Sequence, residues 1–143
     1  MRPLFGTKDL IYLKHITVQT ISIDELRDFL NSYEFPIRPI QKKICFPIIQ
    51  RIYRKTIIEV QFENINIDNS LLINGHHRYL CSLLSNKNID TNKWKSPSQI
   101  APLQWNEKEI DLEDRESIEI INRHNFLDAA RNNIDVKTLE DLT

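Results

Sequence analysis

Glycine, cysteine and methionine are all rare in this chain, whose 143 residues include two glycines, two cysteines and one methionine. Two cysteines, Cys45 and Cys81, are too few for a disulfide framework, so we expect reduced thiols and a cytoplasmic protein. No apolar run approaches the roughly 18 residues that span a bilayer, and the first residues lack the apolar stretch of a signal peptide. These absences argue against a disulfide-stabilised secreted domain and against a membrane partner.

An excess of charge of either sign is also missing. The 19 Lys and Arg residues nearly balance the 20 Asp and Glu residues, and the formal net charge is −1. The total therefore predicts no general affinity for nucleic acid. Hydrophobic residues make up 41% of the chain and charged residues 27%, which is ordinary for a globular protein. We expect a single domain over residues 1–143 with a hydrophobic core.

The scarcity of glycine makes the position of Gly75 informative. An apolar run at residues 71–73 leads into the dipeptide Asn74-Gly75, and a His-His-Arg triplet then opens an apolar pattern with helical spacing. Asn-Gly is a strong turn signal, and glycine lets the backbone bend where a side chain would clash. This order predicts a strand, a tight turn and a helix. The first turn of that helix consists of His76, His77 and Arg78.

Such a helix start favours phosphate binding. Its N–H groups lack intrahelical partners and its dipole presents partial positive charge, while Arg78 adds a charged fork. A cationic first turn is otherwise disfavoured, so a bound anion would explain it. The alternative is an ordinary corner with a solvated basic turn. We expect Gly75→Val and Arg78→Ala to weaken nucleotide binding and to leave most of the fold's stability in place.

The segment INGHHRYLCSLLS, residues 73–85, resembles the signature of the ParB/sulfiredoxin superfamily. Free-serine kinases and ParB-like nucleases have a closely similar Asp-Gly-His-His-Arg-Tyr. The upstream ISIDEL of residues 21–26 is also typical of the front of such domains. The resemblance covers about residues 15–90 and implies a small mixed α/β sheet with flanking helices. It implies a nucleotide such as ATP, ADP or CTP, with Mg²⁺, whose phosphates contact the turn residues Asn74, Gly75, His76, His77 and Arg78.

The same resemblance implies further site residues, and at one position the sequence departs from the family pattern. Arg38 is the best candidate for an additional arginine near the nucleotide. Asn74 stands where an acidic residue is usual, which puts a role in proton transfer or metal binding at that position in doubt. Glu34, before a proline-bounded loop, is the favoured replacement carboxylate. Of the two histidines, one would contact a second phosphate or act as general acid or base near neutral pH.

Two activities of related proteins are not expected. Sulfiredoxin chemistry needs a reactive cysteine directly after the glycine, and His76 occupies that position. Partition proteins contain a helix-turn-helix and a dimerisation domain after this one, for which the chain is too short. A zinc site is a further alternative, because His77 and Cys81 are spaced i, i+4 on one helix face. Only His15, His124 and Cys45 remain as soft donors, and Cys81 also suits a small core residue, so we predict no metal site.

Basic residues cluster locally within the neutral total. No acidic residue occurs between residues 35 and 58, and the segment 38–55 contains Arg38, Lys42, Lys43, Arg51, Arg54 and Lys55. Such a segment could bind DNA through its phosphates. It could also be a solvated helix face, or be covered by the acidic residues of segment 106–120.

The remaining patterns complete the predicted fold. Alternating apolar residues predict strands at residues 15–23 and 56–63, and a capping box at Ser22 predicts a helix after it. Pro47 suits the first turn of another helix, and the two prolines in residues 33–40 favour extended chain. Helices are predicted near residues 114–124, 126–133 and 136–142, so that residues 91–143 form a mainly helical extension.

Three classes of function therefore remain. The first is an enzyme that binds a nucleotide for phosphoryl transfer or hydrolysis, with His76, His77 and Glu34 as candidate catalytic residues. The second is a ParB-like nuclease or DNA-associated module that uses the basic segment 38–55. The third is a non-catalytic interaction module that keeps only the fold.

Overall fold

The first described helix begins at a capping box. The Ser22 hydroxyl oxygen accepts a hydrogen bond from the Glu25 N–H (3.0 Å), and the Glu25 carboxylate accepts one from the Ser22 N–H (3.3 Å). These reciprocal bonds satisfy two N–H groups that the helix cannot. Leu26 and Leu30, one turn apart on its inner face, are buried. The helix predicted after Ser22 is confirmed.

The computed structural model describes residues 20–96 and 100–143. In chain order its elements are α1 (Ile23–Ser32), β1 (Arg38–Pro39), β2 (Lys43–Cys45), α2 (Phe46–Ile57), β3 (Ile65–Asp68), β4 (Leu71–Asn74), α3 (His76–Leu84), β5 (Thr91–Lys93), a 3₁₀ turn (Trp105–Glu107), β6 (Glu109–Asp111), α4 (Ile118–Asn132) and α5 (Val136–Glu140). The predicted strand, turn and helix around Gly75 are β4, the turn and α3. Pro47 lies in the first turn of α2, as expected.

The strands form two sheets, and the fold is mixed α/β as predicted. The larger sheet has the order β1-β4-β3-β5, with β4 inside it. β4 is parallel to β1 and antiparallel to β3, and β5 is parallel to β3. The second sheet pairs β2 with β6 in parallel. The segment after residue 90 therefore adds two strands as well as helices to the fold.

The main core lies where α1, α2 and α3 pack over the larger sheet. Its fully buried members include Leu26, Ile49, Ile65, Leu72 and Leu80, each 0% exposed. A second, smaller cluster joins the chain after α2 to the C-terminal helices and consists of Ile58, Val60, Ala129 and Leu139. The end of α2 is thus held against α4 and α5.

The strand predicted at residues 56–63 is wrong. Thr56 and Ile57 continue α2, and Glu59 adopts a left-handed conformation with φ of 68°. Ile58 and Val60 are buried while Gln61 is exposed, so the alternation is real but belongs to a loop that packs on the C-terminal helices. The strand that pairs with β4 is β3, farther along the chain. Most of the other predicted strand, residues 15–23, lies outside the described residues, and Ile23 begins α1.

The C-terminal helices also differ from the prediction. Residues 118–132 form one helix, α4, where two shorter pieces were expected. Its buried face combines the polar Asn125 and Asp128 with Ala129, whereas the apolar Ile118 and Phe126 are 64% and 66% exposed. No described helix is long and apolar enough to cross a membrane.

Candidate functional site

Gly75 forms the corner between β4 and α3. It is the N-cap of α3 and has a φ of 82°, a left-handed conformation that favours glycine. A Cβ at this position would lie 2.4 Å from the Cγ2 atom of Ile65 on β3. The expectation that Gly75→Val would leave stability largely intact is therefore wrong, because the Ile65 side chain of β3 occupies the space that a side chain at position 75 would need. Glycine is thus required at this corner for packing, whether or not a ligand binds there.

A cleft of about 370 Å³ opens beside this corner. One face of α2 lines it through Ile48, Arg51, Ile52 and Lys55, and α4 lines it through residues that include Asn125, Asp128 and Arg131. The start of α3 completes it through Gly75, His76, His77 and Arg78. The predicted turn residues are thus gathered at one cleft, with the exception of Asn74. The Asn74 side chain is exposed and its oxygen accepts a hydrogen bond from the Asn66 N–H at 3.1 Å.

His76 and His77 act as hydrogen-bond acceptors for the backbone of their neighbours. The Nε2 atom of His76 accepts from the N–H groups of Ile40 (3.2 Å) and Gln41 (3.3 Å). The Nε2 atom of His77 accepts from the Cys45 N–H at 3.0 Å. Both imidazoles are therefore neutral with the proton on Nδ1, and they tie α3 to the chain before α2.

Burial keeps both histidines neutral. Burial, with a smaller effect of the nearby Lys108 charge, lowers the pKa of His76 to about 3. It lowers the pKa of His77 to about 4, although the charge of Glu116 opposes this shift. At neutral pH neither ring adds positive charge to the cleft. Their positions suit the support of the corner, and no proton-transfer step is assigned to them.

Arg78 is the charged group nearest the corner. Its Nη1 atom donates to the backbone carbonyl of Glu63 at 2.6 Å. No carboxylate among the described residues lies within ion-pair distance of its guanidinium. Burial lowers the pKa of Arg78, and the charges of Glu63 and Asp128, which lie nearby without pairing with it, oppose this shift. The N–H groups of residues 76–78 likewise have no acceptor in the described part of the chain.

The other cations of the cleft are paired. Arg51 donates both Nη atoms to Asp114 (2.6 and 2.7 Å) and also reaches Glu116 at 2.7 Å. Lys55 pairs with Asp128 at 2.8 Å, and both side chains are at least nine-tenths buried. Acidic residues of the C-terminal third therefore cover two of the basic residues that the sequence offered as a DNA surface. Arg54, a third, donates to the Leu142 carbonyl at 3.2 Å.

Two residues that the family resemblance suggested lie apart from the cleft. Arg38 donates to the carbonyls of Leu103 (3.2 Å) and Pro102 (3.3 Å). Glu34 is exposed in the segment between α1 and β1. Neither lines the cleft. The structure thus brings together Gly75, His76, His77 and Arg78, and it does not join Arg38 or Glu34 to them.

The donor set does not fit a protein-held metal ion. In the described ranges no three His, Cys, Asp or Glu side chains are arranged to hold one. The cleft carboxylates Glu116 and Asp128 already accept from Arg51 and Lys55. Cys81 is completely buried, and its Sγ donates to the Ile49 carbonyl. Burial raises the pKa of that thiol, so Cys81 is a core residue and does not form a zinc-binding pair with His77.

Asn125 is a cleft residue that sequence reasoning missed. The residue is 1% exposed, its Nδ2 donates to the Thr143 hydroxyl at 2.8 Å, and its Oδ1 has no partner in residues 20–96 and 100–143. A lone amide within a mixed helix gives no sequence signal. The buried polar face of α4 becomes visible only when the helix is packed.

No protein-family model, curated protein or solved structure matches this chain. The resemblance of residues 73–85 to the ParB/sulfiredoxin signature therefore stays a prediction.

Proposed function

We propose that the cleft binds a phosphate-bearing ligand, a nucleotide, with its phosphates at the start of α3. The observation that supports this most directly is Arg78. Arg78 lines the cleft with its guanidinium next to Gly75, and it has no carboxylate partner among the described residues. The N–H groups of residues 76–78 at the same helix start have no acceptor among those residues either. An anion at this place would satisfy both the N–H groups and the charge.

The shape and lining of the cleft also support a nucleotide. Its volume of about 370 Å³ falls in the range of small-molecule sites, roughly 300–1,000 Å³. Apolar side chains, among them Ile48, Ile52 and Phe62, line it together with the polar groups. Such surfaces suit the faces of a planar base, whereas free phosphate would need only the corner. The ParB/sulfiredoxin resemblance points to ATP, ADP or CTP as the first ligands to test.

Nucleotide binding is the proposed function of the cleft, and phosphoryl transfer or hydrolysis would be an additional property of the same site. A phosphotransferase needs a base or a positioned carboxylate beside the phosphates. His76 and His77 are neutral acceptors in backbone hydrogen bonds, and Glu34 does not line the cleft. Glu63 lines it and is only loosely paired with Arg131, at 3.5 Å. If turnover occurs, Glu63 is the carboxylate to replace first.

The test is calorimetric titration with ATP, ADP, CTP and GTP, with and without magnesium, on wild type and Arg78→Ala. We expect the substitution to weaken the best ligand about 10- to 100-fold, because a hydrogen bond to a charged group contributes roughly 1.5–3 kcal/mol. Release of inorganic phosphate is followed in the same samples.

Arg54→Ala is the matched control. Arg54, like Arg78, donates one Nη1 hydrogen bond to a backbone carbonyl, but it does not line the cleft. It should lose stability without losing affinity. Equal affinity of wild type and Arg78→Ala would place the phosphates elsewhere. If no nucleotide binds, the proposed function is wrong, and the third class, a non-catalytic interaction module, would be favoured.

A further inference from the structure

We infer that Asn125 determines which ligand the cleft accepts, by pairing its unpartnered Oδ1 atom with an amino group of the nucleotide base. This inference rests on the proposed nucleotide site and names the class of base, one with an exocyclic amine such as adenine or cytosine. The proposed phosphate site depends on Arg78 of α3, whereas this inference depends on the Oδ1 atom of Asn125 on α4.

The Asn125 amide contacts the last residue of the chain. Its Nδ2 atom donates to the Thr143 hydroxyl at 2.8 Å, and that hydroxyl donates to the Leu139 carbonyl at 3.0 Å. This leaves Oδ1 as the atom without a partner in the described structure. On the side away from Thr143 the amide therefore presents the Oδ1 atom, a hydrogen-bond acceptor.

An unpaired acceptor at this depth is costly. Asn125 is 1% exposed, and a buried polar group without a hydrogen bond destabilises a fold by roughly 1–3 kcal/mol. Leucine at the same position would avoid that cost. The residue lies in the wall of the same cleft as the α3 start and Arg78. A ligand donor is the group that would make this acceptor useful.

The neighbours of Asn125 in the cleft favour a base over a sugar hydroxyl as the donor. Ile121 on the preceding turn of α4 and Phe62 from the loop before β3 both line the cleft. Their apolar surfaces can contact the faces of a flat heterocycle, whose edge then presents its amino group to Oδ1. A base with a carbonyl in place of the amine would bring two acceptors together and leave Asn125 unpaired.

The experiment compares ligands that differ only in this group, ATP with ITP and CTP with UTP, together with tripolyphosphate as a ligand without a base. For the wild type we expect the amino member of at least one pair to bind about tenfold more tightly than its oxo counterpart. Asn125→Leu should abolish that preference and leave tripolyphosphate affinity unchanged. Arg78→Ala should weaken all of the ligands, including tripolyphosphate.

Asn122→Leu is the matched control, since Asn122 lies one turn earlier on α4 and is exposed; it should keep the wild-type preference. Thermal melts without ligand give a second readout, in which Asn125→Leu should melt at or above the wild-type temperature. Equal binding of amino and oxo nucleotides by the wild type, with tripolyphosphate still dependent on Arg78, would overturn the role of Asn125 alone. Absence of binding by nucleotides and by tripolyphosphate would overturn the proposed function as well.

Discussion

His76 and His77 show how burial changes the use of a residue type. In the sequence they suggested groups that titrate near neutral pH. In the fold each ring accepts backbone hydrogen bonds, and the pKa values fall to about 3 and about 4. They contribute to the corner by fixing its orientation, while Arg78 supplies the charge.

This arrangement predicts a specific pH dependence of stability. Between pH 4 and 6.5 the unfolded chain protonates both histidines, whose ordinary pKa is 6.5, and the folded chain does not. Stability is therefore fully present above pH 6.5 and is lost as the pH falls through this window. Each histidine contributes a slope of about 1.4 kcal/mol per pH unit. His77→Gln should reduce the slope by about one proton in urea unfolding measured from pH 4.5 to 6.5.

Asp114→Asn provides the control for that slope. Its hydrogen bond to Arg51 lowers the pKa of the Asp114 carboxyl below the ordinary value of 3.8, so this group titrates below the window. The variant should be less stable than wild type and keep the same slope. An unchanged slope in His77→Gln would show that His77 is not buried as a neutral acceptor.

At the scale of elements, the corner between β4 and α3 joins the sheet to the cleft. The left-handed φ of Gly75 and its approach to Ile65 are both needed to start α3 at this point. Gly75→Ala should cost at least about 2 kcal/mol of stability, from the unfavourable φ and from overpacking against a buried side chain. Urea unfolding of the variant measures this cost.

The two causes can be separated with Ile65→Leu, because leucine lacks the Cγ2 methyl that a Cβ at Gly75 would meet. In that background Gly75→Ala should cost less, because the 2.4 Å contact is removed. The φ penalty of about 1 kcal/mol remains, together with the milder contacts at 3.1 Å with the Cβ of residue 65 and with the Arg78 Nη2 atom. The same penalty in both backgrounds would mean that the contact with Ile65 relaxes freely.

At the scale of the whole molecule, the near-zero net charge results from two opposite segments that pack together. Basic α2 lies against the acidic stretch before α4 and against α4 itself, through the pairs of Arg51 with Asp114 and Glu116 and of Lys55 with Asp128. These contacts close one wall of the cleft. They also explain why the basic segment does not present all its charges to a polyanion.

The buried pair predicts an asymmetry between single and double substitutions. Asp128→Ala leaves Lys55, 4% exposed, without its carboxylate and should cost roughly 3–5 kcal/mol. Adding Lys55→Met should recover part of that loss, since the buried charge is then removed. Lys87→Ala, which breaks the exposed pair with Glu59, should cost less than about 1 kcal/mol. Chemical denaturation measures all three, and equal costs for the two single variants would contradict the burial of the Lys55–Asp128 pair.

Local patterns in the sequence were sufficient for several elements. The capping box at Ser22, Pro47 in the first turn of α2, and the β4–Gly75–α3 corner each depend on backbone conformations that neighbouring residues dictate. The same patterns were misleading at residues 56–63, where alternating burial belongs to a loop. Alternation reports which side chains are buried, and it does not report what lies against them.

The sequence by itself determined the glycine corner and the presence of Arg78 in the first turn of a helix, because these follow from short-range geometry. The mixed α/β class, which the structure confirms, was implied by the family resemblance of residues 15–90. Only the tertiary structure decided that Gly75 makes room for Ile65, that both histidines are neutral acceptors, and that Arg51 and Lys55 are paired while Arg78 has no carboxylate partner in the described residues. It also decided that Asn125 reaches the same cleft. The physical reason is that burial and charge pairing depend on contacts between residues such as Cys45 and His77, 32 apart in the chain, and Lys55 and Asp128, 73 apart. No local pattern specifies which of these segments will meet.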